Sequence, residues 1–234
     1  MELFRLLLYL NAVALLLGAI GGCSLHSSIP GPDSSTKNLL MNSSFESGAN
    51  PWFALSGKQW EGFRVTEQYA QDGKYSAYLA LRADQATAGS KVFGLIQEVS
   101  PKIFPKKISG YYRVANWQRG TAKQYLQFVV IVQGDPGERR FENYQIRYVL
   151  TGIDRPALAI QNAKYLFLGK SEPAQSEWVY FERALHPDFQ TLWGHIPKTF
   201  TKLRLLFEAR YDEKQSGKPD VFADIYYDSL YLGD

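Results

Sequence analysis

Lys202-Leu-Arg-Leu-Leu-Phe-Glu-Ala-Arg-Tyr211 is the stretch from which the fold can be read. Leu203, Leu205, Phe207 and Ala209 fall on one side of an extended chain, and Arg204, Leu206, Glu208 and Arg210 on the other. Successive side chains of a β-strand point to opposite faces, so a period of two with one apolar side describes a strand laid on a core. Tyr125–Gln133 repeats the pattern, with Leu126, Phe128, Val130 and Val132 on one face and Tyr125, Gln127, Val129, Ile131 and Gln133 on the other. In both stretches the second face is polar without being featureless.

Working outward, similar runs rich in aromatic and β-branched residues predict strands over Trp60–Gln68, Tyr75–Arg82, Val92–Val99, Lys107–Trp117, Phe141–Leu150, Tyr165–Leu168, Trp178–Leu185 and Val221–Leu232. Turn residues punctuate them at Asp72-Gly73, at Gly134-Asp135-Pro136-Gly137 and between Asp212 and Pro219. No segment holds a long helical period; Asp154–Ala163 and Pro187–Pro197 are each read as a helical turn. Many short strands at this spacing predict an all-β sandwich or jelly roll.

The 234 residues suit one large β-domain, and 14 Phe, 15 Tyr and 5 Trp supply rings for both core and surface. With 26 basic and 23 acidic residues the net charge is +3, and no dense Lys/Arg run points to nucleic acid. The single cysteine, Cys23, excludes an intrachain disulfide and a cysteine metal cluster.

Residues 1–22 place Arg5 ahead of an apolar run from Leu6 to Leu17 and then the small residues Gly18, Ala19, Gly21 and Gly22. The pattern predicts an export signal, too short for a membrane span. Its end, Ile20-Gly21-Gly22-Cys23, resembles the bacterial lipobox, which implies acylation of Cys23 and a membrane anchor. Ser24 in the next position resembles the outer-membrane sorting pattern. Residues 23–37 then read as a Ser-, Pro- and Gly-rich tether. The folded domain is expected over residues 38–234.

That domain opens with Asn38-Leu39-Leu40, followed by Asn42-Ser43-Ser44-Phe45-Glu46-Ser47-Gly48 and Trp52. Gly73-Lys74-Tyr75-Ser76, Leu95-Ile96-Gln97-Glu98-Val99 and Ile225-Tyr226-Tyr227-Asp228-Ser229-Leu230 follow in order, with Trp178 at the start of a late strand. Together these segments resemble the galactose-binding-like β-sandwiches, specifically carbohydrate-binding modules of the family 4, 9 and 22 type. The resemblance implies a jelly-roll sandwich whose chain ends are stapled by a structural calcium, held by the carboxylates of Glu46 and Asp228, a Lys74 backbone oxygen and Ser44. Tyr227 stands where those modules often carry a second Asp; the other reading of Glu46 is a carboxylate bonded to backbone amides. Phe45 and Trp52 are expected in the core.

A sugar offers an apolar face of C–H groups and a rim of hydroxyls, so a site for one needs rings beside bidentate polar groups. The candidates are Tyr111, Arg113, Trp117, Tyr125, Gln127, Asn143, Gln145, Arg147, Arg204, Glu208 and Arg210. Tyr111, Arg113 and Trp117 share one parity, as do Asn143, Gln145 and Arg147, and neighbouring strands would merge them into one groove. The plainer reading of each residue is a solvated face with cross-strand ion pairs such as Arg204 or Arg210 with Glu208. Trp60 and Trp193 are candidates for an alternative site at the sandwich edge.

Catalysis calls for a constellation that the sequence lacks. His26, His186 and His195 have no metal-ligand spacing, and no G-x-S-x-G or phosphate-binding glycine motif is present. The expectation is a non-catalytic envelope lipoprotein that binds a glycan or glycoconjugate. The alternative is a structural lipoprotein that docks a protein partner at the outer membrane.

Overall fold

A computed structural model describes residues 37–138 and 143–234. The expected export signal, Cys23, the tether before Lys37, and Phe141 of the expected strand Phe141–Leu150 lie outside the described residues.

The strands are β1 (Trp60–Glu61), β2 (Arg64–Thr66), β3 (Ser76–Ala83), β4 (Gly89–Val99), β5 (Lys107–Gln118), β6 (Lys123–Gln133), β7 (Asn143–Thr151), β8 (Leu158–Ile160), β9 (Ala163–Phe167), β10 (Trp178–Ala184), β11 (Lys202–Lys214) and β12 (Val221–Gly233). One helix, α1 (Leu185–Trp193), stands between β10 and β11. The strands form a seven-stranded sheet in the order β1-β4-β11-β6-β7-β9-β8 and a five-stranded sheet in the order β10-β5-β12-β3-β2. Pairing is antiparallel except between β1 and β4 and between β7 and β9. From β3 onward the chain changes sheet at every step except from β6 through β9, which all lie in the larger sheet, and this produces the jelly-roll sandwich that the sequence implied.

The core lies where the alternation placed it. Leu126, Phe128, Val130 and Val132 of β6 and Leu203, Leu205, Phe207 and Ala209 of β11 face Leu79, Leu81, Val114, Ile225 and Tyr227 of the smaller sheet. Phe128 is the hub, stacked on Tyr148 at 4.5 Å and on Phe181 at 4.9 Å. Burying side chains of this size stabilises the fold by about 1.5–3 kcal/mol each. Phe45 and Trp52 are core residues, with ring centroids 5.5 Å apart and the Trp52 indole donating to the Asn42 carbonyl at 3.0 Å.

Three local readings change. The strand expected over Trp60–Gln68 is two, β1 in the larger sheet and β2 in the smaller, because the chain crosses between sheets at Gly62 and Phe63. Asp154–Ala163 holds a short strand, β8, rather than a helical turn. Gln161, at φ 45°, turns the chain so that β8 pairs back on β9, and Asn162 fixes the turn by donating to the Asn143 carbonyl at 2.6 Å. The helical turn expected over Pro187–Pro197 is a helix that starts at Leu185. Pro187 is tolerated in its first turn, where an amide hydrogen has no partner to lose, and Gly194 ends it at φ 80°.

Candidate functional site

The face of the larger sheet turned away from the core carries the strongest concentration of polar chemistry. Register fixes its rows. Arg210 of β11 lies opposite Tyr125 of β6, and Glu208 opposite both Gln127 of β6 and Gly94 of β4. Arg147 of β7 lies between Val129 and Tyr165, and Gln145 beside Ile131.

At the centre, Glu208 and Gln127 are 1% and 0% exposed although they point away from the core. Glu208 Oε1 accepts the Gln127 side-chain amide and lies 3.7 Å from Arg210 Nη1 and 3.8 Å from Arg147 Nη1. The Gln127 Oε1 is buried without a hydrogen-bond partner. Arg210 also forks onto Asp212 at 3.1 and 2.6 Å, and Tyr125 donates its hydroxyl to the same carboxylate at 3.1 Å. Burial opposes the charge of Arg210, but Glu208, Tyr125 and Asp212 more than offset it and hold the guanidinium firmly protonated. Burial likewise pushes the Tyr125 hydroxyl well above its ordinary range, so it acts as a neutral donor.

Rings flank this floor. The Arg147 guanidinium lies 5.5 Å from the Tyr165 ring centre while its Nε donates to Gln145 Oε1 at 3.0 Å. Phe167, two residues along β9, lies nearly parallel to Tyr165 at 6.5 Å. On the other side Leu55, Trp60 and Ile131 cover a small apolar cluster of Ile96, Val129 and Leu206. The segment that carries Leu55 is pinned by paired backbone bonds between Phe53 and Ile96 at 3.0 and 2.8 Å. Gly94 presents no side chain beside Glu208, which leaves the floor low at that point. The result is a polar, charge-compensated strip with rings on one side and an apolar wall on the other.

The expected candidates divide. Tyr125, Gln127, Gln145, Arg147, Glu208 and Arg210 come together as described. Arg204 lies on the same face but forks onto Glu98 at 2.8 and 2.6 Å, beside Lys202 at 2.8 Å, as a cross-strand ion pair. Lys202 and then Arg204 hold the Glu98 carboxyl below its usual range. Asn143 shares the parity of Gln145 at the end of β7, where its carbonyl takes the Asn162 bond.

Tyr111, Arg113 and Trp117 do not join that groove. Their strand, β5, belongs to the smaller sheet between β10 and β12, so its outward side looks the opposite way. There Tyr111 packs on Tyr180 at 5.1 Å and Arg113 sits 4.1 Å from the Tyr69 ring centre while donating to the Ser176 carbonyl. Trp117 also loses the parity of the other two. Asn116 has φ 54° and the β5–β12 register slips there, which turns Trp117 onto the core. Tyr165, Phe167, Gly94 and Asp212 were not identified from sequence. The parallel pairing of β9 on β7 that brings Tyr165 and Phe167 in has no local signature, and Asp212 reads as turn punctuation.

At the junction of the chain ends, Glu46 Oε1 accepts the Lys74 and Tyr75 backbone amides at 3.0 and 2.9 Å. Asp228 Oδ2 accepts those of Gln71 and Asp72 at 2.7 and 3.2 Å, and its Oδ1 that of Ser229 at 2.7 Å. Lys74 thus turns its N–H, rather than a carbonyl oxygen, toward Glu46, and its ammonium pairs with Glu67 at 3.1 Å. Ser44 is half-buried in the same opening segment. Among the described residues no three His, Cys, Asp or Glu side chains gather as a metal site. The Glu46 and Asp228 carboxylates accept backbone amides, as in the second reading of Glu46.

No protein-family model and no curated protein matches the chain. Among solved structures, it is similar to a family 61 carbohydrate-binding module in complex with β-1,4-galactotriose, at 14% identity over 84% of this chain and 97% of that one, TM-score 0.44. A structure of carbohydrate-binding modules from the β-sandwich superfamily aligns at 12% identity over 86% of this chain and 62% of that one, TM-score 0.49. A CBM22 xylan-binding domain from Paenibacillus barcinonensis aligns at 19% identity over 85% of this chain and 94% of that one, TM-score 0.41.

Proposed function

We propose that the outward face of the larger sheet binds a carbohydrate, without chemistry of its own. The observation that carries this reading is the burial of Glu208 and Gln127, with Arg147 and Arg210 around them, on a face that the core does not need. Burying a charge is costly unless it is paired, and an ordinary solvated face leaves its charges in water. The partly exposed Arg147 and Arg210 guanidinium groups, fixed by buried Glu208 and set beside the Tyr165, Phe167 and Trp60 rings, supply the two things a sugar requires: bidentate partners for hydroxyls and flat apolar surface for C–H groups.

A glycan-array screen of the purified protein tests this. We expect a selective hit that Arg147→Ala and Tyr165→Ala each weaken about tenfold or more, whereas Arg204→Ala, already spent on Glu98, changes it little. A blank array on folded protein would overturn the reading and favour the docking of an envelope protein. The N-terminal sequence supports placing this module at the outer membrane through an acylated Cys23. Loss of lipid labelling in Cys23→Ser is the expected result, and undiminished labelling would remove the anchor.

A further inference from the structure

A second concavity lies on the flank of the sandwich, where the chain passes from one sheet to the other. The passage runs from β1, paired with β4, through Gly62 and Phe63 to β2, paired with β3. Beside it is a groove of about 490 Å³ whose lining includes Glu61, Arg64, Tyr78, Ala80, Arg82 and Lys91. That volume is within the range of small-ligand sites, about 300–1,000 Å³. Ala80 stands between Tyr78 and Arg82 on the outward row of β3, so the floor drops there for want of a side chain.

The charges of the groove are unequally matched. Arg82 is paired with Asp224 and also lies 3.6 Å from the Phe222 ring centre. Lys91 is paired with Glu61 at 2.6 Å. Arg64 rests its guanidinium 4.5 Å from the Tyr78 ring centre, and among the described residues it makes neither an ion pair nor a hydrogen bond. Tyr78 in turn is held by its own hydroxyl bond to Asp224 at 2.6 Å, so the ring under Arg64 is a fixed platform. An exposed guanidinium settled on a ring has lost some of its freedom before any ligand arrives, yet keeps its donors for a partner. The partner that matches a planar fork of N–H groups is an oxyanion.

We infer that this flank groove binds the oxyanion of an acidic sugar, a carboxylate or a phosphate, with Arg64 as its direct contact, since Lys91 and Arg82 are already matched by Glu61 and Asp224. The sugar class rests on the carbohydrate reading above, while the preference for an anion rests on the groove alone. The groove lies off the face that carries Glu208, so the two sites are separable by mutation.

Calorimetric titration of the purified protein with trigalacturonate, glucose 1-phosphate and neutral galactotriose tests the inference. At least one of the two anionic sugars is expected to bind, more weakly as salt is added. Which of them binds decides between carboxylate and phosphate. Arg64→Ala is expected to reduce that affinity about tenfold or more, the loss of a charge-assisted contact. Ala80→Leu, which fills the floor, is expected to do the same, and Arg147→Ala to leave it unchanged. Thermal melts check that each variant is folded. Failure of both anionic sugars to bind, full binding by folded Arg64→Ala, or galactotriose binding that Arg64→Ala abolishes and Arg147→Ala spares would overturn the proposal. A galactotriose response lost in Arg147→Ala and kept in Arg64→Ala reports on the larger sheet and leaves the flank groove to be decided by the anionic sugars.

Discussion

Glu208 Oε1 lies 3.7 Å from Arg210 Nη1 on a sheet face turned away from the core. With Arg147 at 3.8 Å on the same oxygen and Asp212 on Arg210, two carboxylates balance two partly buried cations. Removing one member of such a set leaves the others uncompensated, at a cost of about 3–5 kcal/mol. Glu208→Ala is therefore expected to lower the urea midpoint strongly, and Glu208→Gln, which keeps an acceptor for Gln127, to lower it less. A loss for Glu208→Ala below about 1 kcal/mol, the worth of an exposed pair, would mean that the network is effectively solvated.

Asp228 gives stability a pH dependence of a particular sign. Burial pushes its carboxyl up to about 6, although the amides of Gln71, Asp72 and Ser229 pull the other way. Because the folded value lies above the unfolded one, the folded protein binds the extra proton first. The group's contribution is full below about pH 4 and is lost as pH rises through about 6. Over that window the loss is on the order of 2–3 kcal/mol, from about 1.36 kcal/mol per unit. Asp228→Asn should flatten the corresponding slope in melts taken from pH 4 to pH 7; an unaltered slope would rule Asp228 out as its source.

Gly73 and Gly48 form a natural pair of controls. Both have positive φ, 68° and 81°, but a Cβ on Gly73 would meet the Glu46 carboxyl at 2.6 Å while one on Gly48 meets nothing within 4 Å. Gly48→Ala should cost about 1 kcal/mol, the left-handed backbone alone. Gly73→Ala adds displacement of Glu46 from the Lys74 and Tyr75 amides, for about 2 kcal/mol or more in all. Equal losses in chemical denaturation would show that Glu46 does not hold this loop.

The amide bonds made to the Glu46 and Asp228 carboxylates also predict the result of a chelator experiment. Melting temperature should be the same in calcium and in excess EGTA. A rise in calcium that Asp228→Asn abolishes would instead assign an ion to the junction.

How far the sequence discloses the site depends on the range of the signal. The faces of Tyr125–Gln133 and Lys202–Tyr211 are legible because alternation is local, and Gln127, Glu208 and Arg210 were found by it. Which strands share a sheet is not local. β5 and β7 both flank β6 in sequence, yet only β7 pairs with it, so Tyr111 and Arg113 left the groove in which they were expected. Trp117 was displaced by the register slip at Asn116, which composition does not announce. Tyr165 entered through a parallel pairing across β8, a strand too short to register as one.

The way the domain begins also decides how it meets force. Asn38 accepts from the Leu232 amide at 3.0 Å and donates to the Leu230 carbonyl at 2.8 Å, and the Leu39 amide donates to the Leu232 carbonyl at 2.8 Å. These bonds end on β12 at Leu230 and Leu232, beyond its pairing with β3, which covers Val221–Tyr227, and within its pairing with β5. Tension applied at Lys37 is thus met first by the bonds of Asn38 and Leu39 to the end of β12. Unravelling under load would begin by stripping this opening segment from β12 before any strand of the smaller sheet is parted from its neighbour.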